Sequence, residues 1–336
     1  AAMTAGASLR GAWCLGALRV LGAHAAAAAA GQRHLMVTGG TRGIGKKVVE
    51  MLFLDPLSDP RFTVVMTGRD RAAAEAVAAD LRQVLPAPRR GVTVLAPLEL
   101  DVAEASSREA AVEAMGQMTG GGQLEVLVNN AGVGLDMGWN PPCPREEEGE
   151  MVERTMRTNF LGPLALTLAL AAAGLLRGGS RVVNVSAGVG HIAAHKVRSP
   201  LGNLLSNESL TTADVEAFGH EVVEAARSGG KARLEERFGY SHAYGLSKLC
   251  LSAATRTLAR EHADWTVQAC SPGFVKTDLT AGSAAKALPV RGAEVVAHLA
   301  ISKERWVQGS GKFFNASMTD CGEFEVLPWD DRSLIR

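Results

Sequence analysis

The stretch Thr38-Gly39-Gly40-Thr41-Arg42-Gly43-Ile44-Gly45 constrains this chain more than any other. It follows the apolar run Leu35-Met36-Val37 and precedes Lys46-Lys47-Val48-Val49-Glu50-Met51-Leu52, so it reads as the turn from a buried strand into a first helix. Gly39 permits a tight turn, Gly43 lets backbone amides approach a phosphate, and Gly45 lets helix and strand pack closely. The spacing, G-x-x-x-G-x-G, differs from the commoner G-x-G-x-x-G, and glycine-rich turns are frequent. Alone, the motif specifies anion binding and no particular chemistry.

From Arg33 onward strands alternate with helices, the pattern of a parallel sheet covered on both faces. Strands are expected at Thr63 to Thr67, Val92 to Leu100, Leu124 to Val128, Ser180 to Ser186, Thr266 to Ser271 and Gly311 to Asn315. Together with the first, this gives an α/β, single doubly wound parallel-sheet (Rossmann) domain of seven strands over residues 33–336. One long helix is expected from Glu146 to about Ala173, opened by Glu146, Glu147 and Glu148 at its dipole-positive end. Residues 189–240 break the rhythm as a polar, partly helical insertion. Without it and the first 32 residues, the remainder has the size of one ordinary domain.

Composition narrows the ligand. Lys+Arg and Asp+Glu balance at 35 each, so no one-sided charge invites nucleic acid, and a small molecule is the expected partner. Five cysteines lack C-x-x-C spacing, which fits neither a disulfide framework nor a zinc site. His191 and His195 stand four apart, but no Glu follows His191, and no metal is expected.

Residues 1–32 form an alanine-rich segment with Arg10 and Arg19 and no acid before Glu50, the composition of a transit peptide. Import into an organelle, plastid or mitochondrion, is the expectation, with the cytoplasm as the alternative. Two arginines nine residues apart would sit on opposite helix faces, so the segment is not expected to span a membrane. A helix from Leu9 to Leu21 is instead expected to form an arm that docks on a neighbouring protein or a membrane-facing surface, with an unstructured leader as the alternative.

The chemistry lies further on. Ser186 ends the fifth strand, and Tyr244-Gly245-Leu246-Ser247-Lys248 sets a phenol and an ammonium four apart on one helix face. A tyrosine near pKa 10 needs help to exchange protons at neutral pH, roughly 4 kcal/mol of phenolate stabilisation, which adjacent positive charge can supply.

Taken together, these residues resemble the short-chain dehydrogenase/reductase family from Arg33 to Asn315, with motifs in the family's order. Gly39, Thr41, Arg42, Gly43, Ile44 and Gly45 match its cofactor turn, and Asp101-Val102 its adenine contacts. Asn130, Ala131 and Gly132 belong to the signature that follows the fourth strand. Asn159, Ser186, Tyr244 and Lys248 match the catalytic tetrad, while Pro272, Gly273, Val275 and Thr277 match the loop around the nicotinamide. The resemblance implies that Tyr244 gives a proton to the substrate oxygen and Ser186 hydrogen-bonds that oxygen. Lys248 would bind the ribose and lower the Tyr244 pKa, and Asn159 would hold a water behind Lys248.

The 58 residues from Ser186 to Tyr244 are longer than most of the family shows. Such an insertion resembles the branch containing carbonyl reductases and the menthone and salutaridine reductases of plants, where it covers a dimerisation surface. A monomeric catalytic domain is therefore implied. Arg69 stands where an NAD-dependent relative would place an acid, and with Arg42 it suits a 2′-phosphate. The expected activity is NADPH-dependent reduction of a ketone, aldehyde or quinone in a pocket walled by Trp139, Val189 and Phe274. The alternative is an accessory subunit of a larger organellar assembly.

Overall fold

The computed structural model describes residues 33–54, 62–84, 94–302, 309–318 and 324–327. The chain runs through β1 (Arg33–Val37), α1 (Gly43–Leu54), β2 (Phe62–Gly68), α2 (Arg71–Val84), β3 (Val94–Glu99), α3 (Ala105–Thr119) and β4 (Leu124–Asn129). Helix α4 (Glu148–Met156) passes through a π turn at Arg157–Leu161 into α5 (Gly162–Ala172). There follow β5 (Arg181–Val185), α6 (Gly188–Lys196), α7 (Thr212–Phe238), α8 (Ala243–Glu261) and β6 (Thr266–Ser271). The last elements are α9 (Pro289–Ile301), β7 (Lys312–Met318) and β8 (Phe324–Leu327).

All the described strands lie in one sheet, in the order β3-β2-β1-β4-β5-β6-β7-β8. The seven expected strands are parallel; β8, too short to stand out in the sequence, adds antiparallel to β7. Pro97 is tolerated in β3 because that strand is the sheet's edge. Alternation along β1 shows why both faces are covered: Met36 packs with Leu127, Val182 and Phe160, whereas Leu35 and Val37 pack with Val64, Val128 and Val295. Strand order reverses beside β1 and β4, which opens a crevice at their carboxyl ends.

Two local departures matter for the site. The single helix expected from Glu146 is interrupted, because the Gly162 N–H bonds the Arg157 carbonyl and Pro163 has no N–H to return to the Asn159 carbonyl. In the 189–240 segment, α7 lies along α4 and α8 and buries Val215, Phe218, Val222 and Phe238. A Thr211–Asp214 capping box starts α7, and the Thr212 N–H donates to Glu261 Oε1 at 2.7 Å. Arg227 pairs with Glu153 of α4 at 2.8 Å, and the helix breaks at Gly229 and Gly230. Among the described residues no helix is long and apolar enough to cross a membrane. The 1–32 arm lies outside the described residues.

Candidate active site

The glycine turn is tied to the loop after β4. Thr38 Oγ1 accepts from the N–H groups of Asn130 (2.9 Å) and Ala131 (3.0 Å), and the Asn130 amide donates back to the Thr38 and Gly39 carbonyls. Gly39 holds φ 64°, and a Cβ on Gly45 would collide with the Gly39 carbonyl and the Asn130 amide. The turn is therefore a rigid backbone cradle before any ligand arrives, with Thr41, Arg42, Gly43 and Ile44 forming its rim on the cleft.

The cleft has a volume of about 1610 Å³, room for a dinucleotide together with a substrate. At one end stand Arg69, Asp101 and Val102; Asp101 Oδ1 accepts the Ala103 N–H at 3.0 Å, which fixes the bend after β3. Gly132 borders the middle: a Cβ there would sit 3.3 Å from Asn159 Oδ1 and 3.7 Å from Lys248 Nζ. Pro272, Gly273, Val275 and Thr277 close the far side, with Thr277 Cγ2 3.5 Å from where a Cβ on Gly43 would lie. The Thr280 hydroxyl, donating to the Val275 carbonyl at 2.7 Å, shapes that loop.

The two arginines differ in their partners. Arg69 is exposed at the end of β2, and the neighbouring acid, Asp70, spends its carboxylate on the Ala73 N–H as the cap of α2 (3.0 Å). Arg42, which lines the same cleft, pairs with Asp278 at 3.4 Å. Both partners are largely exposed, so the pair contributes little, ~0–1 kcal/mol, and holds Arg42 weakly.

Ser186, Tyr244 and Lys248 meet in the cleft from the end of β5 and one face of α8. Lys248 Nζ lies 5.6 Å from the Tyr244 ring centre. Burial pushes the Tyr244 phenol up to about 12 and pulls the Lys248 ammonium down to about 8. Without the cofactor's charge, then, the phenol is a well-held proton and is not yet acidified. Ser186 Oγ lies 3.1 Å from the Lys248 carbonyl and 2.8 Å from Ser252 Oγ.

Asn159 is buried, and both its amide hydrogens are used: it donates to the Val133 carbonyl (2.8 Å) and to Ser247 Oγ (3.0 Å), while Oδ1 accepts the Val133 N–H (2.8 Å). The Ser247 hydroxyl in turn donates to the Tyr244 carbonyl at 2.8 Å. The side chain of Asn159 thus braces α8, and Pro163 offers its carbonyl no N–H.

Trp139 lines the cleft, held by a bond to the Leu279 carbonyl (3.1 Å) and a tilted contact with Phe274 (5.5 Å between ring centres). Asp136, whose carboxylate receives the Ala243 and Tyr244 N–H groups, had no local signal at all, since no motif surrounds it. Val189, Leu135, Met137 and Leu279 complete an apolar wall. His191 packs edge-on to Phe313 at 4.2 Å, and no cluster of metal-binding side chains occurs among the described residues.

A cradle for a dinucleotide, beside a tyrosine and lysine on one helix and a serine at a strand end, defines an oxidoreductase of the doubly wound type. The chain belongs to the short-chain dehydrogenase family, whose model matches residues 33–198. It is 30% identical to carbonyl reductase [NADPH] 1 of Sus scrofa over 276 residues, 80% of this chain and 87% of that protein. It is 28% identical to (+)-neomenthol dehydrogenase of Arabidopsis thaliana, over 74% of this chain and 84% of that one. Salutaridine reductase from Papaver somniferum shares the fold at a TM-score of 0.64 and 24% identity, over 84% of this chain and 99% of that structure.

Proposed function

We propose that the protein reduces the carbonyl of a ketone, aldehyde or quinone to the alcohol, with NADPH as reductant. The observation that carries this reading is the convergence of Tyr244, Ser186 and Lys248 on the cleft that the glycine turn opens. The similarity to a carbonyl reductase named for NADPH supports both reaction and cofactor.

The residues present fit the cofactor. Gly39, Gly43 and Gly45 would give the pyrophosphate close access to backbone N–H groups, Arg69 would offer a guanidinium to the 2′-phosphate, and Lys248 would hold the ribose. NADPH, when bound, supplies the hydride that the carbonyl carbon receives. The chain's own task is the proton. The buried Tyr244 phenol holds it and gives it to the carbonyl oxygen, and the Ser186 hydroxyl, leaving the Lys248 carbonyl, donates to that same oxygen. Lys248 steadies the resulting phenolate with its ammonium. The wall of Trp139, Met137, Leu135, Val189 and Phe274 suits an apolar carbonyl compound and keeps bulk water from the reacting atoms. Stopped-flow loss of NADPH absorbance with a panel of ketones, aldehydes and quinones tests the reading. No turnover of any of them by pure protein would refute it.

The catalytic domain acts as a monomer in this reading, since the 189–240 segment packs on α4 and α8 and covers faces that a second copy could otherwise use. For the arm, composition alone supports organellar import and docking on a neighbouring protein. An accessory subunit without activity is the weaker alternative, because the residues for catalysis are all present.

A further inference from the structure

Resting on the reductase reading above, we propose that Asp136 is a positioning residue for the proton donor, and that the insertion, through Lys231, supplies its countercharge. Asp136 follows the Asn130-Ala131-Gly132 loop, and its side chain is 1% exposed. Oδ2 accepts the Ala243 N–H at 2.6 Å and Oδ1 the Tyr244 N–H at 3.1 Å. These are the first two of the four N–H groups that a helix leaves unpaired, and a carboxylate there also meets the positive end of the helix dipole. His242, the residue before α8, accepts the next one, from Gly245, at 3.3 Å.

The Tyr244 main chain is consequently held at both ends. Its N–H goes to Asp136 and its carbonyl receives the Ser247 hydroxyl, which Asn159 braces. Asp136 does not itself line the cleft, whereas its neighbours Leu135 and Met137 do. One carboxylate therefore sets the distance between the substrate wall and the phenol. Misplacement of a reacting group by about 1 Å can cost on the order of a hundredfold in rate.

The countercharge is constructed by the insertion. Lys231 Nζ lies 3.4 Å from Asp136 Oδ2, and His242 Nε2 3.7 Å from Oδ1. The third facing group is the Tyr240 phenol, which burial and then the Asp136 charge push up to about 12. Helix α7 breaks just before Lys231. Gly230 takes φ 62° and ψ −150°, the Lys231 N–H donates to Glu148 Oε2 at 2.8 Å, and a Cβ at Gly230 would lie 2.5 Å from that oxygen. Removing Lys231 would leave a buried carboxylate without its nearest cation, so the insertion contributes to catalysis as well as to coverage.

The test compares full-length wild type with Asp136→Ala, Asp136→Asn, Lys231→Met and, as control, Tyr244→Phe, using menadione as the carbonyl probe. Titration of NADPH fluorescence gives the fraction of competent sites, and kcat is expressed per bound NADPH. Asp136→Ala is expected to lower kcat by about 10- to 100-fold while the NADPH dissociation constant stays within about threefold, and added formate should restore part of the rate. Lys231→Met should lower kcat by about three- to tenfold. Should Asp136→Ala fail to fold, Asp136→Asn and Lys231→Met carry the test, and wild-type kcat in both overturns the proposal. An Asp136→Ala enzyme with wild-type kcat, or one whose kcat and NADPH affinity fall in equal proportion, also overturns it. If Tyr244→Phe alone is inactive, the reductase reading survives that failure; if Tyr244→Phe turns over like wild type, the reading itself fails and the role of Asp136 with it.

Discussion

The Lys248 ammonium donates to the Val185 carbonyl at 2.8 Å, one residue before Ser186. Burial holds that ammonium down at about 8, against about 10.4 in an unfolded chain. Between these values the unfolded chain binds more protons, so stability from this group rises with pH through that window, and the penalty is fully present below it. Its size is roughly 3 kcal/mol, less ~1 kcal/mol for the hydrogen bond that Lys248→Met would forfeit. Cofactor-free Lys248→Met should melt roughly 2 to 6 °C above wild type near neutral pH, with the gap closing by about pH 10, and should lose its activity. Thermal denaturation across pH checks this; a lower melting point at neutral pH would show that the ammonium stabilises the empty site.

Tyr244→Phe removes the proton and leaves the ring. NADPH binding, read by fluorescence, should persist, and kcat should fall by about two to four decades. Retained turnover would assign the proton to another group.

Arg69→Asp places a carboxylate where the 2′-phosphate is expected. NADPH affinity should drop by about one to two decades and NADH should become the better ligand. Arg42→Ala should matter less, because Arg42 leans on Asp278. Equal wild-type affinities for the two cofactors would remove the basis for this assignment.

The packing of α7 on α4 and α8 predicts a monomer at micromolar concentration. Light scattering that returned twice the mass of the chain, 35.2 kDa, would mean that the insertion makes the contact instead of blocking it.

How far the sequence could be read depended on the range of each interaction. The parallel strands, the turn at Gly39 to Gly45 and the Tyr244–Lys248 spacing are written in neighbouring residues, so period and spacing suffice to find them. Asp136 is 107 residues from Ala243, and Glu148 is 83 from Lys231; such pairs leave no local pattern. The three glutamates at 146–148 read as a solvated helix start, yet Glu148 fixes the kink in α7. The interruption at Asn159 was legible in principle, since Pro163 stands four residues later, but the apolar periodicity on either side runs on without a break. The Arg42–Asp278 pair was hidden for the same reason, since Asp278 arrives from beyond β6.

Thr38, with one hydroxyl, locks the phosphate turn to the loop that goes on to carry Leu135, Met137 and Trp139. The cofactor floor thus belongs to the sheet, whereas the walls belong to loops and the insertion. A lineage can exchange wall residues and acquire new carbonyl compounds without renegotiating its coenzyme. In this architecture chemical novelty and redox currency are inherited separately.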